Sequence, residues 1–176
     1  MTSNILTIIL FILIALVVAL VLLRLTPIWD KFLSAGEFKP TDFSKLTTTG
    51  KPNWYLVCPP EYCSNLNVHL ESPVYKLSKT TLADRLKSIV LKDPNIEIRQ
   101  DDGTKLELVA RTPTVRWPDL VSIEFIEKDE NSSTLAIYSR AIYGIRDFSA
   151  NKSRVDRWLK SLRAEIGEDA IDTSAN

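Results

Sequence analysis

The chain has 176 residues, of which 22 are basic, 22 acidic, one is His and two are Cys, so its formal net charge is zero. That balance excludes a general nucleic-acid binder, which carries an evident basic excess. One His, two Cys and five Gly leave little for a metal centre, a nucleophilic machine or a phosphate-cradling loop, and no cofactor or metal is expected.

From Ile5 to Leu23 every residue is apolar except Thr7. At 1.5 Å per helical residue this run spans roughly 28 Å, close to the hydrocarbon core of a bilayer. Only a helix can carry its own backbone hydrogen bonds into lipid. A cleaved signal peptide has a shorter apolar run behind a basic start and ends at small residues. Here the run is longer, no Lys or Arg precedes it, and Ser34-Ala35-Gly36 is a distant cleavage site. The reading is an uncleaved single-span anchor whose partner is the bilayer. Pro27 ends its helix near Leu25, and Trp29 and Phe32 suit the membrane interface.

Residues 26–52 mix Ser, Thr, Lys and Pro, with Thr47-Thr48-Thr49-Gly50 lacking any period, and read as a linker. The domain is expected over 53–167, with 168–176 a fraying tail. It opens on Asn53-Trp54-Tyr55-Leu56-Val57-Cys58 and Pro59-Pro60-Glu61-Tyr62-Cys63, where the prolines point to a loop rather than a central strand. The spacing of Cys58 and Cys63 suits a small disulfide. Two free thiols, or a metal recruiting His69, are the other readings of the same spacing.

Leu82, Leu86, Ile89 and Val90 recur on one helical face between Ser78 and Lys92. Thr81-x-x-Asp84 resembles a capping box, and Asp93-Pro94 stops the helix. Strands follow. Ile96 and Ile98 alternate, Asp102-Gly103 is a favoured hairpin turn, and Leu106, Leu108 and Ala110 alternate after it. Val121, Ile123 and Phe125 form another inner face, continued beyond a turn at Asp129–Ser132 by Leu135, Ile137 and Ser139. Val155, Trp158, Leu159, Leu162 and Ile166 then share one side of a closing helix. The order predicts an α+β fold: one transmembrane helix, then an antiparallel sheet of about four strands packed with two helices.

Centring the second hairpin between Lys128 and Thr134 sets Phe125 opposite Ile137 and Glu124 opposite Tyr138. Arg140 is then a diagonal neighbour of Glu124. Tyr143, Arg146, Asp147, Asn151 and Arg154 gather at the start of the last helix, which Asn151 or Ser149 could cap. Asp119, Glu124, Arg140, Tyr143, Asp147, Asn151 and Arg154 are therefore the candidate binding residues. Asp119 or Glu124 beside Arg140 could serve a general acid or an oxyanion, but neither a nearby His nor a Ser with a visible base accompanies them. A structural network built on bidentate arginine pairing is the plainer reading.

Leu135-Ala136-Ile137-Tyr138-Ser139-Arg140, Tyr143-Gly144-x-x-Asp147 and Asn151-Lys152-Ser153-Arg154-Val155-Asp156-Arg157-Trp158-Leu159 resemble the closing signature of the domain-of-unknown-function family numbered 1499. Val109-Ala110-Arg111-Thr112 and Pro118-Asp119 to Glu124-Phe125 resemble its middle part. The resemblance covers about Cys58 to Leu162. It departs at Phe148-Ser149-Ala150, where members often show Leu-Gly-Val. It implies an uncharacterised bacterial envelope protein, often with one N-terminal span, and no established activity.

Charge segregates along the domain. Tyr138–Arg163 holds seven basic and two acidic residues, whereas Asp93–Glu130 holds ten acidic and five basic. A basic last helix facing anionic lipid headgroups is one reading. The plainer one is that this helix lies near the hairpins and the two sets cancel. Arg24, Lys31 and Lys39 after the span favour a cytoplasmic domain by the positive-inside rule. Closely spaced cysteines and the resemblance favour the periplasmic side of a bacterial inner membrane. Taken together, the expectation is a non-enzymatic envelope module that binds a partner protein or an anionic lipid headgroup. A hydrolase-type enzyme using the Asp/Glu/Arg cluster is the alternative.

Overall fold

The computed structural model describes residues 2–48, 50–60, 62, 63 and 66–172. They form two compact units, residues 1–34 with 114–116, and residues 35–113 with 117–176.

In the first unit, helix α1 (Thr2–Arg24) is followed by the short helix α2 (Pro27–Phe32), whose opening proline occupies the position where a missing N–H costs nothing. Asn4–Arg24 is long and apolar enough to cross a membrane, and no part of it is buried by the chain. Arg116 pairs with Asp30 of α2 through two bonds of 2.7 Å. The Trp29 indole donates to the Val115 carbonyl at 2.7 Å, and the Arg24 guanidinium donates to the Thr114 carbonyl.

The second unit is α+β, as expected, but its sheet is larger and mixed. Its strands are β1 (Trp54–Cys58), β2 (Leu70–Glu71), β3 (Val74–Tyr75), β4 (Ile96–Asp101), β5 (Lys105–Arg111), β6 (Pro118–Asp129), β7 (Ser132–Ala141) and β8 (Ile171–Asp172). The spatial order is β2-β1-β7-β6-β5-β4, with β3 pairing β7 and β8. All pairings are antiparallel except β1 with β2. The two central hairpins lie where expected, the β6–β7 one in a register shifted by two. The added strands explain the difference in size. Trp54–Cys58 is a strand rather than the expected loop, while Pro59 and Pro60 do lie outside it, just past its end. β2, β3 and β8 are two residues each, too short to show a period.

Helix α3 (Lys79–Val90) falls within the expected Ser78–Lys92, but Ser78 rather than the Thr81-x-x-Asp84 box caps it. The Ser78 hydroxyl accepts from the Thr81 amide. Helix α4 (Ala150–Ile166) is capped by neither Ser149 nor Asn151 through its side chain. The Asp147 carboxylate does that work instead, accepting from the Ser149 and Asn151 amides at 3.2 and 3.0 Å. A carboxylate there also meets the positive end of the helix dipole.

Both helices cover one face of the sheet. Leu82, Leu86, Ile89 and Val90 of α3 join Val155, Trp158 and Leu162 of α4 over Leu106, Leu108, Val121, Ile123, Phe125, Leu135 and Ile137. The opposite face is covered by coil. Phe43, Leu56, Cys58, Cys63, Ala136 and Tyr138 form a second, smaller core there, with Leu46, Tyr62, Leu66 and Val68 packed against it. The segment read as a linker therefore contributes to the fold. A 3-10 turn at Phe43–Lys45 buries Phe43, and the Thr41 amide donates to the Glu107 carboxylate at 2.7 Å. Its Thr47–Gly50 stretch includes Thr49, which lies outside the described residues.

The tail also holds longer than expected. Glu168–Ala170 makes a 3-10 turn, and Ile171 is buried where β8 pairs with β3. Residues 173–176 lie outside the described residues.

Candidate functional site

The opening of β6 lies against the end of β7, with Asp119 opposite Ala141 and Val121 opposite Ser139. Side chains alternate along a strand. Asp119 therefore continues the row of Val121, Ile123 and Phe125 and must point toward the helices. Ser139 likewise continues Leu135 and Ile137. On α4, Asn151 and Arg154 are three residues apart and share a face. Arg154 precedes Val155, so the guanidinium reaches the sheet at the edge of the apolar core.

The result is a buried polar network. Arg154 donates to Asp119 at 2.6 Å, to Asn151 Oδ1 at 2.8 Å and to Ser139 Oγ at 3.1 Å. Ser139 donates to Asn151 Oδ1 at 2.6 Å. The Asn151 side-chain Nδ2 donates to Asp147 at 2.9 Å and to the Asn53 carbonyl at 3.1 Å. Asn53 in turn donates to the Gly144 carbonyl at 3.0 Å. Asp119 is 3 % exposed and Arg154 7 %. Burial pushes the Asp119 carboxyl above its ordinary value; the Arg154 guanidinium pulls it part of the way back, and the charge of Asp147 adds to the rise.

Over this network lies a cavity of about 410 Å³, lined in part by Trp117, Asp119, Tyr143, Arg146, Asp147 and Phe148. The Trp117 and Tyr143 rings are 5.4 Å apart at the rim. Phe148 and Ser149 both hold positive φ, 50° and 64°, a conformation uncommon outside glycine. Phe148 is turned outward by this double bend. The cavity thus joins aromatic walls to a floor of carboxylate oxygens.

Five of the seven candidate residues, Asp119, Tyr143, Asp147, Asn151 and Arg154, therefore come together. Glu124 and Arg140 do not. Observed pairing sets Phe125 opposite Leu135, Glu124 opposite Ala136 and Arg140 opposite Leu120, two residues from the expected register. The physical reason is a tight turn at Glu130-Asn131 together with a bulge between Glu127 and Asp129. A shift of two keeps every side chain on its face but parts Arg140 from Glu124. Both lie on the coil-covered face. There Glu124 meets Lys105 at 3.2 Å, and Arg140 lies 6.0 Å from the Tyr138 ring. Burial, with the charge and hydrogen bond of Glu124, pushes the Tyr62 phenol up to about 12.

Arg146, expected beside Tyr143 and Asp147, lines the cavity with them; residues missed by sequence reasoning are Asn53, Trp117, Ser139 and Phe148. Ser139 had a signal, since a polar residue on an apolar row demands a buried partner. Asn53 had none, because its role comes from the fold of β1 beside β7. Cys58 and Cys63 form a disulfide. Among the described residues no group of three or more His, Cys, Asp or Glu could hold a metal ion. The basic and acidic stretches meet at Arg154–Asp119 and at Arg157–Asp93, the latter at 3.7 Å.

Residues 40–162 match the family model described as protein of unknown function (DUF1499), and the chain belongs to that family. The match starts where Thr41 and Phe43 begin to pack on the sheet, ahead of Cys58, where the resemblance in the sequence begins. A search of curated proteins finds no match.

Proposed function

We propose, with that family membership as the premise, that this chain is a single-span protein of the bacterial inner membrane whose α+β domain stands on the periplasmic side as a non-enzymatic binding module. One observation carries the binding half: the cavity over Arg154 combines aromatic walls with charged groups already committed to one another. A hydrolase built on Asp119 or Glu124 with Arg140 would need them in one cleft, and the sheet separates them. Asp119 with Arg154 neutralises a charge rather than presenting one. The remaining acceptors and ring faces suit a ligand held by contact and hydrogen bonds.

Support for the membrane half comes from α1, which is apolar around its whole circumference. Arg24, Lys31 and Lys39 after the span would alone keep the domain inside. The Cys58–Cys63 disulfide outweighs them, since a cytosolic pair would be kept reduced.

Two measurements test the reading. In intact cells, a membrane-impermeant thiol reagent should label Cys58 and Cys63 only after reduction; labelling that needs permeabilisation but no reduction would place the domain inside. Native mass spectrometry of the full chain released from detergent should show a bound small molecule. That adduct should vanish in Ala150→Trp, which fills the cavity. A wild-type chain isolated from membranes without any adduct counts against binding there.

A further inference from the structure

We infer that the Tyr143–Phe148 loop, with Trp117 beside it, is a second membrane contact: it dips into the interfacial layer of the bilayer that holds α1. This rests on the anchored reading above and adds to it a lipid-facing side of the domain. Phe148 is 93 % exposed, Ile145 70 %, Trp117 42 % and Tyr143 39 %. Four large apolar or aromatic side chains in so short a compass are unusual for a surface that meets only water.

The backbone makes the exposure more telling. Phe148 and Ser149 are consecutive non-glycine residues at φ 50° and 64°, and such strain persists only where the surrounding structure enforces it. Here the Asp147 carboxylate enforces it by holding the Ser149 and Asn151 amides. A strained bend is being used to hold a phenyl ring away from the core.

The composition identifies the occupant. Phe and Ile suit the boundary between headgroups and acyl chains, while Trp and Tyr settle at headgroup level with an apolar body and a polar tip. Arg146, exposed in the middle of the loop, can lay its stem on the apolar side and reach a lipid phosphate with its guanidinium. A bilayer is also the surface this domain meets at highest concentration. Residues 25–34 separate α1 from the second unit, and with Pro27–Phe32 helical at about 1.5 Å per residue and the rest at about 3.5 Å they reach at most roughly 25 Å. Within such a short tether even a weak contact is populated, because the second binding event is intramolecular.

The test uses the full chain, one copy per nanodisc of phosphatidylethanolamine and phosphatidylglycerol, with an environment-sensitive fluorophore on Phe148→Cys and, separately, on Ile145→Cys. Lys160→Cys, on the exposed side of α4, is the comparison site. Thermal melts matching the wild type confirm that the variants fold. Both loop positions should show blue-shifted emission, loss of iodide quenching and gain of quenching by doxyl-labelled lipid, while Lys160→Cys stays aqueous. An aqueous signal at both loop positions overturns the inference, as does a blue shift without doxyl quenching, which means protein covers the loop. A lipid signal at Lys160→Cys alone would give the membrane to the basic helix instead. Carbonate-washed flotation separates the two levels of failure. A chain that does not float defeats the anchor and this inference together; one that floats with its loop in water defeats only the inference.

Discussion

The two faces of the sheet are built differently. One is covered by α3 and α4, whose apolar residues repeat with the helical period and interlock with the rows of β5, β6 and β7. The other is covered by irregular chain, pinned by the Cys58–Cys63 bond and by Phe43, which come from separate stretches before and after residue 50. Each face also has its own polar group. Arg154 and Asp119 sit under α4, whereas Glu107 accepts from Ser122 at 2.6 Å and from the Thr41 amide at 2.7 Å under the coil. Regular cover relies on burial of patterned side chains. Irregular cover needs crosslinks and specific hydrogen bonds, because coil has backbone groups to satisfy and few apolar ones to bury.

The helix face should give the largest effect when its polar group is broken. Arg154→Ala leaves the Asp119 carboxylate buried without its partner, and removing one member of a buried pair costs about 3–5 kcal/mol. That is a large share of a total stability of about 5–15 kcal/mol, so urea denaturation should show a sharply lowered midpoint. Replacing both, as Asp119→Leu with Arg154→Met, should recover most of the loss, because a well-packed apolar pair of similar volume is often neutral or better. If the double variant is no more stable than Arg154→Ala, the network has a value beyond charge neutralisation.

On the coil face, Phe43→Ala tests whether the covering segment belongs to the fold. Phe43 is 3 % exposed, and truncating a buried Phe costs roughly 3 kcal/mol or more. A change below about 0.5 kcal/mol, typical of a surface position, would return the segment to linker status. Opening the crosslink is the next smaller step. Cys58→Ser with Cys63→Ser should cost about 2 kcal/mol for a six-residue ring in the chain-entropy model. Limited proteolysis should then cut first between β1 and β2, while α3 and α4 stay protected. Equal loss of protection on both faces would show that they unfold as one unit.

The same contrast explains what could be read from the residues alone. Leu82, Leu86, Ile89 and Val90, or Val155, Trp158 and Leu162, announce their face because a helix repeats every 3.6 residues. Val121, Ile123 and Phe125 do so because a strand repeats every two. Phe43 belongs to no repeat; its burial depends on a chain reversal that sets it beside residues far along the sequence. For the site, strand alternation separates Asp119 and Ser139 from Glu124 and Arg140, whereas the reading from sequence set Asp119 with Glu124 beside Arg140. The clustering of Arg140 with Glu124 failed on register, which a two-residue turn and one bulge decide. Phe148 was legible only as a departure from the family pattern, and its exposure follows from the double positive-φ bend.

Beside β1, just ahead of β2, sits the single His of the chain, and its effect should be the smallest and the most selective. His69 Nδ1 accepts the Leu56 amide at 3.2 Å, and the ring lies 4.4 Å from that of Trp54 and 5.1 Å from that of Tyr55. His69 is exposed, yet the chain packed around its ring strips part of its water and lowers its pKa from the usual 6.5, and protonation would also remove the acceptor for Leu56. In the unfolded chain the imidazole takes its proton first as pH falls. The stabilisation from neutral His69 is therefore complete above about pH 6.5, is lost as pH drops below that value, and levels off once the folded protein protonates too. Stability measured between pH 7.5 and 5 should decline on the acid side, and His69→Gln should flatten that decline while leaving the acid transition below about pH 4, set by carboxylates such as Asp101 and Asp102 that lie under their usual 3.8, in place. A decline of equal slope in wild type and His69→Gln would move the acid sensitivity away from this ring, and with it the idea that the β1–β2 connection depends on a neutral His69.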